Sequence, residues 1–167
     1  AQGALPRVSK VDAGTLEMVR SLGVEVVSSA DLLQYATQRW SQEQLRSHMV
    51  AAEKLGRIVQ EAFAYIGDSL VSEPTEHGVA EFMRRRYVEE GLEATDGPVV
   101  AVNAHASDPH FEPTIPLSSV IKAGDWVLID AWARVSGEDA MFADITWTAY
   151  LGNQVPKPHQ KVFDAVV

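Results

Sequence analysis

The sequence predicts an α+β protein in which helices pack on an antiparallel sheet, and two observations carry that expectation. Between residues 41 and 91 apolar side chains recur at helical spacing. Beyond Gly91 the pattern changes to strand-like alternation, best developed over residues 126–135 and 140–151. A chain of 167 residues, 46% hydrophobic and 22% charged, is long enough to bury a core and has an ordinary globular composition.

Residues 1–40 read as the end of a larger α/β domain. Asp12 is placed to cap a short helix whose apolar positions Leu16, Val19 and Leu22 end at Gly23. Residues 24–27 follow as a short strand, and Ser28 or Ser29 caps a second helix through Leu32, Leu33 and Tyr35. Such a piece cannot make a core alone.

A new unit, residues 41–167, begins with Ser41 and Gln44 at capping-box spacing. Leu45, Ala52, Leu55, Val59, Ala62, Phe63 and Ile66 form one face of a long helix that Gly67 is expected to end. Thr75 caps a further helix with Val79, Phe82, Met83 and Tyr87 on its buried stripe and Gly91 at its end. Residues 98–103 are an apolar strand candidate, and residues 105–116, with three prolines, must be a loop. A further helix is expected to begin around His159.

A net charge of −9 argues against nucleic acid, which demands clustered Lys and Arg. The one dense basic run, Arg84-Arg85-Arg86, reads as a solvated helix face. No apolar stretch reaches the roughly 20 residues that cross a bilayer. The absence of cysteine excludes disulfides and thiol chemistry. A cytoplasmic protein with no membrane and no nucleic-acid partner is the expectation.

The two best strands each carry an aspartate. Trp126, Leu128, Asp130 and Trp132 share one face of the first strand; Phe142, Asp144, Thr146 and Thr148 share a face of the second. A short hairpin centred on Gly137 would set Asp130 directly opposite Asp144, with Cβ atoms about 5 Å apart. Opposed carboxylates between apolar strands repel one another, so a shared proton or an intervening cation is implied. Their hard oxygens suit a divalent ion without choosing which one.

These residues resemble the metal-binding segments of pita-bread metallopeptidases of the aminopeptidase P, Xaa-Pro dipeptidase (prolidase) and creatinase type. Gly124-Asp125 followed by residues 126–130 resembles the strand that delivers the first aspartate ligand, and residues 144–148 the segment that delivers the second. Asn103 through Pro109-His110-Phe111-Glu112-Pro113 resembles the segment holding an active-site histidine. The resemblance covers residues 41–167, with residues 1–40 similar to the end of the amino-terminal domain of aminopeptidase P-like members. It implies the first half of a pita-bread fold, with helices outside a curved antiparallel sheet.

It implies also two divalent metal ions (Mn, Co or Zn) held in part by Asp130 and Asp144, and a substrate-contacting role for His110. The implied activity is hydrolysis of an amino-terminal Xaa-Pro bond in a peptide or small amide substrate. Creatinase-like C–N hydrolysis and a non-catalytic binding module are the alternatives. The family's remaining ligands, one His and two Glu, come from the second half of the fold, so residues 1–167 are expected to be inactive alone. A homodimer, or a companion chain supplying the missing half, is the expected assembly. His48 and His77 are expected as surface or packing residues, and His105 as a loop residue outside the chemistry. The sequence departs from the family pattern at Trp132, where Gly is usual, and at Ala143 and Trp147, where Ser and Arg are usual. The connection between the two aspartates is also longer than usual.

Overall fold

The computed structural model describes residues 11–166. Residues 1–10 of the expected amino-terminal segment, together with Val167, lie outside them. Contacts divide the chain between Ser41 and Gln42.

Among its described residues the first unit holds two short helices. In α1 (Ala13–Ser21) the Asp12 side chain accepts from the Thr15 N–H at 2.9 Å, as its position before the apolar stripe suggested. In α2 (Ala30–Thr37) it is Ser28 that accepts from the Ala30 N–H, whereas Ser29 at the cap makes no such bond. Neither helix has a buried residue. The strand expected at residues 24–27 is absent, because no segment among the described residues pairs with it and its valines stay exposed. Extended backbone without a ladder partner has no reason to hold a strand's geometry.

The second unit is built on α3 (Gln42–Ser69) and α4 (Glu76–Glu90). Gly67 does not end α3, which runs two residues further and tightens into a 3-10 turn at residues 70–72. Thr75 caps α4 by accepting from the Gly78 N–H, and Gly91 closes it at φ 67°, a conformation that costs glycine little. The arginine run at residues 84–86 is not simply a solvated face. Arg84 donates to the Gly97 carbonyl and pairs with Glu81, and Arg86 ties α4 to Glu61 of α3 while also meeting Glu89 and Glu90. Arg85 alone of the three is exposed.

Four antiparallel strands follow: β1 (Leu92–Glu93), β2 (Val99–Val102), β3 (Trp126–Val135) and β4 (Ala143–Tyr150). β3 is central, paired with all of the others. Its odd-numbered residues Val127, Ile129, Ala131 and Ala133 are buried in one core with Leu55, Ile58, Val59, Ala62 and Ile66 of α3 and Val79, Ala80, Met83 and Tyr87 of α4. Leaving water is worth about 1.5–3 kcal/mol for each large aliphatic side chain here, and this is what holds the sheet to the helices. The even-numbered face of β3 is only half-buried. After β4, α5 (Lys157–Val166) brings His159 edge-on to the rings of Trp126 and Tyr150. No described helix is long and apolar enough to cross a membrane.

Candidate functional site

The open face of β3 carries Asp130 and Trp132, and the matching face of β4 carries Asp144 and Thr146. The register corrects the expected opposition of the aspartates. Asp130 stands across from Thr146, and Asp144 across from Trp132. The hairpin is therefore wider than a short loop centred on Gly137. Gly137, at φ 145°, begins a turn closed by the Ala140 N–H on its carbonyl, with Glu138 and Asp139 at the centre. Met141 and Phe142 are then withdrawn from the ladder by α3. The Met141 N–H donates to Ser47 Oγ at 3.0 Å, and the Phe142 carbonyl lies 2.8 Å from His48 Nδ1. Pairing starts only at Ala143.

The two aspartates remain on one face, now as diagonal neighbours about 7–8 Å apart between Cα positions. Asp130 is half-buried between Val99 of β2 and Thr146 of β4, and Thr146 donates its hydroxyl to Asp130 Oδ1 at 2.6 Å. Asp144 is exposed. Carboxylate oxygens are hard donors of the kind that suit divalent cations, so these are the side chains of this face that could contribute to holding one. Among the described residues, no group of three or more His, Cys, Asp and Glu side chains is gathered in a form that could hold a metal ion. Two carboxylates fall short of such a group.

His110 is exposed on the proline-rich loop, its own N–H donating to Asp108 Oδ1 at 2.9 Å. It lines a cavity of about 880 Å³ with Phe111, Pro98, Pro109, Pro113 and Trp132. Neither aspartate lines that cavity; Trp132 connects the two regions, since it shares the strand face of Asp130 and stands opposite Asp144. The indole also explains a glycine. A Cβ on Gly97, itself at φ 69°, would meet the Trp132 ring at 2.6 Å. Tyr87 also lines the cavity, and its buried hydroxyl has no hydrogen-bond partner among the described residues. Burial pushes its phenol well above the ordinary value of 10.0; Arg84 opposes the shift and the Asp130 charge adds to it.

Sequence reasoning missed Glu76, a fully buried carboxylate that His105 contacts from the start of the His110 loop. An acidic residue in a helix's first turn is common and marks nothing by itself. It missed also the Thr146 contact, which depends on the register. His77, expected as surface or packing, has its Nδ1 2.9 Å from the Pro113 carbonyl.

The sequence matches the family model for metallopeptidase family M24 over residues 51–167. No curated protein matches it. Solved structures that share the fold at low identity include the following three. A dipeptidase, PepE, from Mycobacterium ulcerans is 24% identical with a TM-score of 0.60, covering 92% of this chain and 39% of its own. An X-Pro aminopeptidase from Thermotoga maritima MSB8 is 20% identical with a TM-score of 0.63, covering 94% and 42%. An X-prolyl aminopeptidase from Caenorhabditis elegans, described as a cytosolic enzyme with a di-nuclear active site, is 18% identical with a TM-score of 0.61, covering 76% and 21%. The chain therefore spans less than half the length of each.

Proposed function

The chain belongs to metallopeptidase family M24, and from that premise we propose that the protein removes an amino-terminal residue preceding proline, or splits an Xaa-Pro dipeptide, using two divalent metal ions held in part by Asp130 and Asp144. The observation that carries the reading is the placement of both carboxylates on the open face of β3 and β4, diagonal to one another. On this reading the other donors of the centre are not among residues 11–166, and residues 1–40 are the end of an amino-terminal domain.

Asp130 and Asp144 would supply the hard oxygen donors, Asp130 with one oxygen steadied by the Thr146 hydroxyl. Bound there, the ions would lower the pKa of a water and polarise the scissile carbonyl. His110, at the rim of the cavity, is suited to donate a hydrogen bond to the reacting carbonyl oxygen. The volume falls within the range of small-ligand sites, and walls of Pro98, Pro109, Pro113, Phe111 and Trp132 suit the ring of a proline residue.

The test is turnover by the full-length protein loaded with Mn²⁺, Co²⁺ or Zn²⁺. We expect chelator-sensitive cleavage of Xaa-Pro peptides, little cleavage when Ala replaces Pro, and a strong fall in kcat for His110→Ala with metal content preserved. Hydrolysis of a small guanidino compound with no action on Xaa-Pro peptides would instead establish the creatinase-like alternative. Loss of metal in His110→Ala would make that histidine a ligand.

A further inference from the structure

Glu76 is the buried charged side chain among the described residues, with 0% of its surface exposed. It opens α4, where the helix N-terminus favours negative charge. Its oxygens meet three partners. Oε1 accepts from the Val102 N–H at 2.7 Å, at the end of β2, and Oε2 accepts from the Ser119 N–H at 2.7 Å. His105 Nδ1 lies 2.9 and 3.0 Å from the two oxygens and donates between them. A carboxylate removed from water is kept only when its lone pairs are satisfied in this way.

The segments it holds are the two ends of the loop that carries His110. The His105 ring stacks on Phe111 at 4.1 Å between centroids, and Phe111 is buried while its neighbour His110 is exposed. On the far side, the His77 N–H donates to Ser118 Oγ at 2.8 Å and its Nδ1 reaches the Pro113 carbonyl. The Glu76 N–H donates to the Ser119 carbonyl, and the Ile121 N–H to the Pro74 carbonyl. His110 thus sits between two fastenings, both made by the first residues of α4.

We infer that Glu76 and His105 are positioning residues for His110: the buried carboxylate fixes the imidazole of His105, whose stack on Phe111 sets where His110 stands at the cavity rim. The inference rests on the proposed reading that His110 contacts the substrate. A carboxylate that only fastened the fold would affect stability alone. One that acts through His110 affects turnover, and loses that effect once His110 is gone.

The experiment is a double-mutant cycle in the full-length, metal-loaded protein, with an Xaa-Pro peptide as substrate. Glu76→Gln keeps the shape but turns an amide NH₂ toward a donor; His105→Ala removes the stack. Phe111→Leu keeps apolar burial without the ring, and carries the same cycle should Glu76→Gln fail to fold. We expect each to lower kcat on the order of tenfold or more, with KM little changed and metal content intact, since small misplacements of a reacting group cost this much or more. In the His110→Ala background the same changes should cost less than about twofold. Losses that multiply in that background, or that follow metal loss, overturn the positioning role while leaving His110 in place. Full turnover by His110→Ala itself would instead overturn the reading of His110, and the inference with it.

Discussion

Thr146 donates its hydroxyl to Asp130 Oδ1 at 2.6 Å, directly across the β3–β4 ladder. A hydrogen bond of that kind holds a ligating carboxylate in one orientation before a cation arrives. Thr146→Val keeps the β-branched shape and removes the donor. We expect metal affinity to fall roughly tenfold or more, the usual cost of losing a partner that orients a ligand. Thr146 is exposed, so the unfolding midpoint should move little. Isothermal titration of the metal-free protein checks this, and unchanged affinity would show that the hydroxyl does not orient Asp130.

Gly97 and Trp132 are sterically coupled. Gly97→Ala places a Cβ 2.6 Å from the indole at φ 69°. Strain and overlap together should destabilise the protein by about 1–3 kcal/mol in urea unfolding. Trp132→Gly would remove the overlap, so Gly97→Ala should cost measurably less in that background. Equal costs in both backgrounds would mean that the ring moves aside freely.

Tyr87 invites a stabilising change. Its buried hydroxyl has no hydrogen-bond partner among the described residues, and burial raises its pKa. Tyr87→Phe keeps the ring and deletes the unsatisfied group, and should raise stability by about 1 kcal/mol. A loss of that size would reveal a partner for the hydroxyl.

Glu90 links stability to pH. Burial opposes its charge, but Arg57 and Arg86 outweigh that and hold its carboxyl below the ordinary 4.5. A depressed folded-state value means that the contribution is fully present above pH 4.5 and is lost as pH falls through the folded value. Arg57→Ala should therefore weaken the protein at pH 6 and flatten the loss of stability between pH 5 and 3. Thermal unfolding across that range reads the slope, and parallel curves for both proteins would exclude the link.

Much of this organisation was legible in the sequence. The limits of β3, the caps at Asp12 and Thr75, and the sharing of one face of β3 by Trp126, Leu128, Asp130 and Trp132 follow from periodicity and from residues acting on near neighbours. What was not legible depends on contacts distant in sequence. The β3–β4 register is set where Ser47 and His48 of α3 take up Met141 and Phe142, and no turn rule contains that information. The burial of Glu76 likewise depends on Val102, His105 and Ser119 meeting at one helix end. Residues 24–27 had the composition of a strand and lacked only a partner among the described residues.

The central claim is that Asp130 and Asp144 hold metal. Its most direct measurement is the metal content of full-length Asp144→Asn, by elemental analysis after loading and desalting, beside the unaltered protein. The change preserves size and removes the charge of an exposed residue, so the helical circular dichroism should be unaltered. We expect two divalent ions per chain in the unaltered protein and a clear loss, with turnover abolished, in the variant. An unchanged stoichiometry in a folded Asp144→Asn protein would contradict the account.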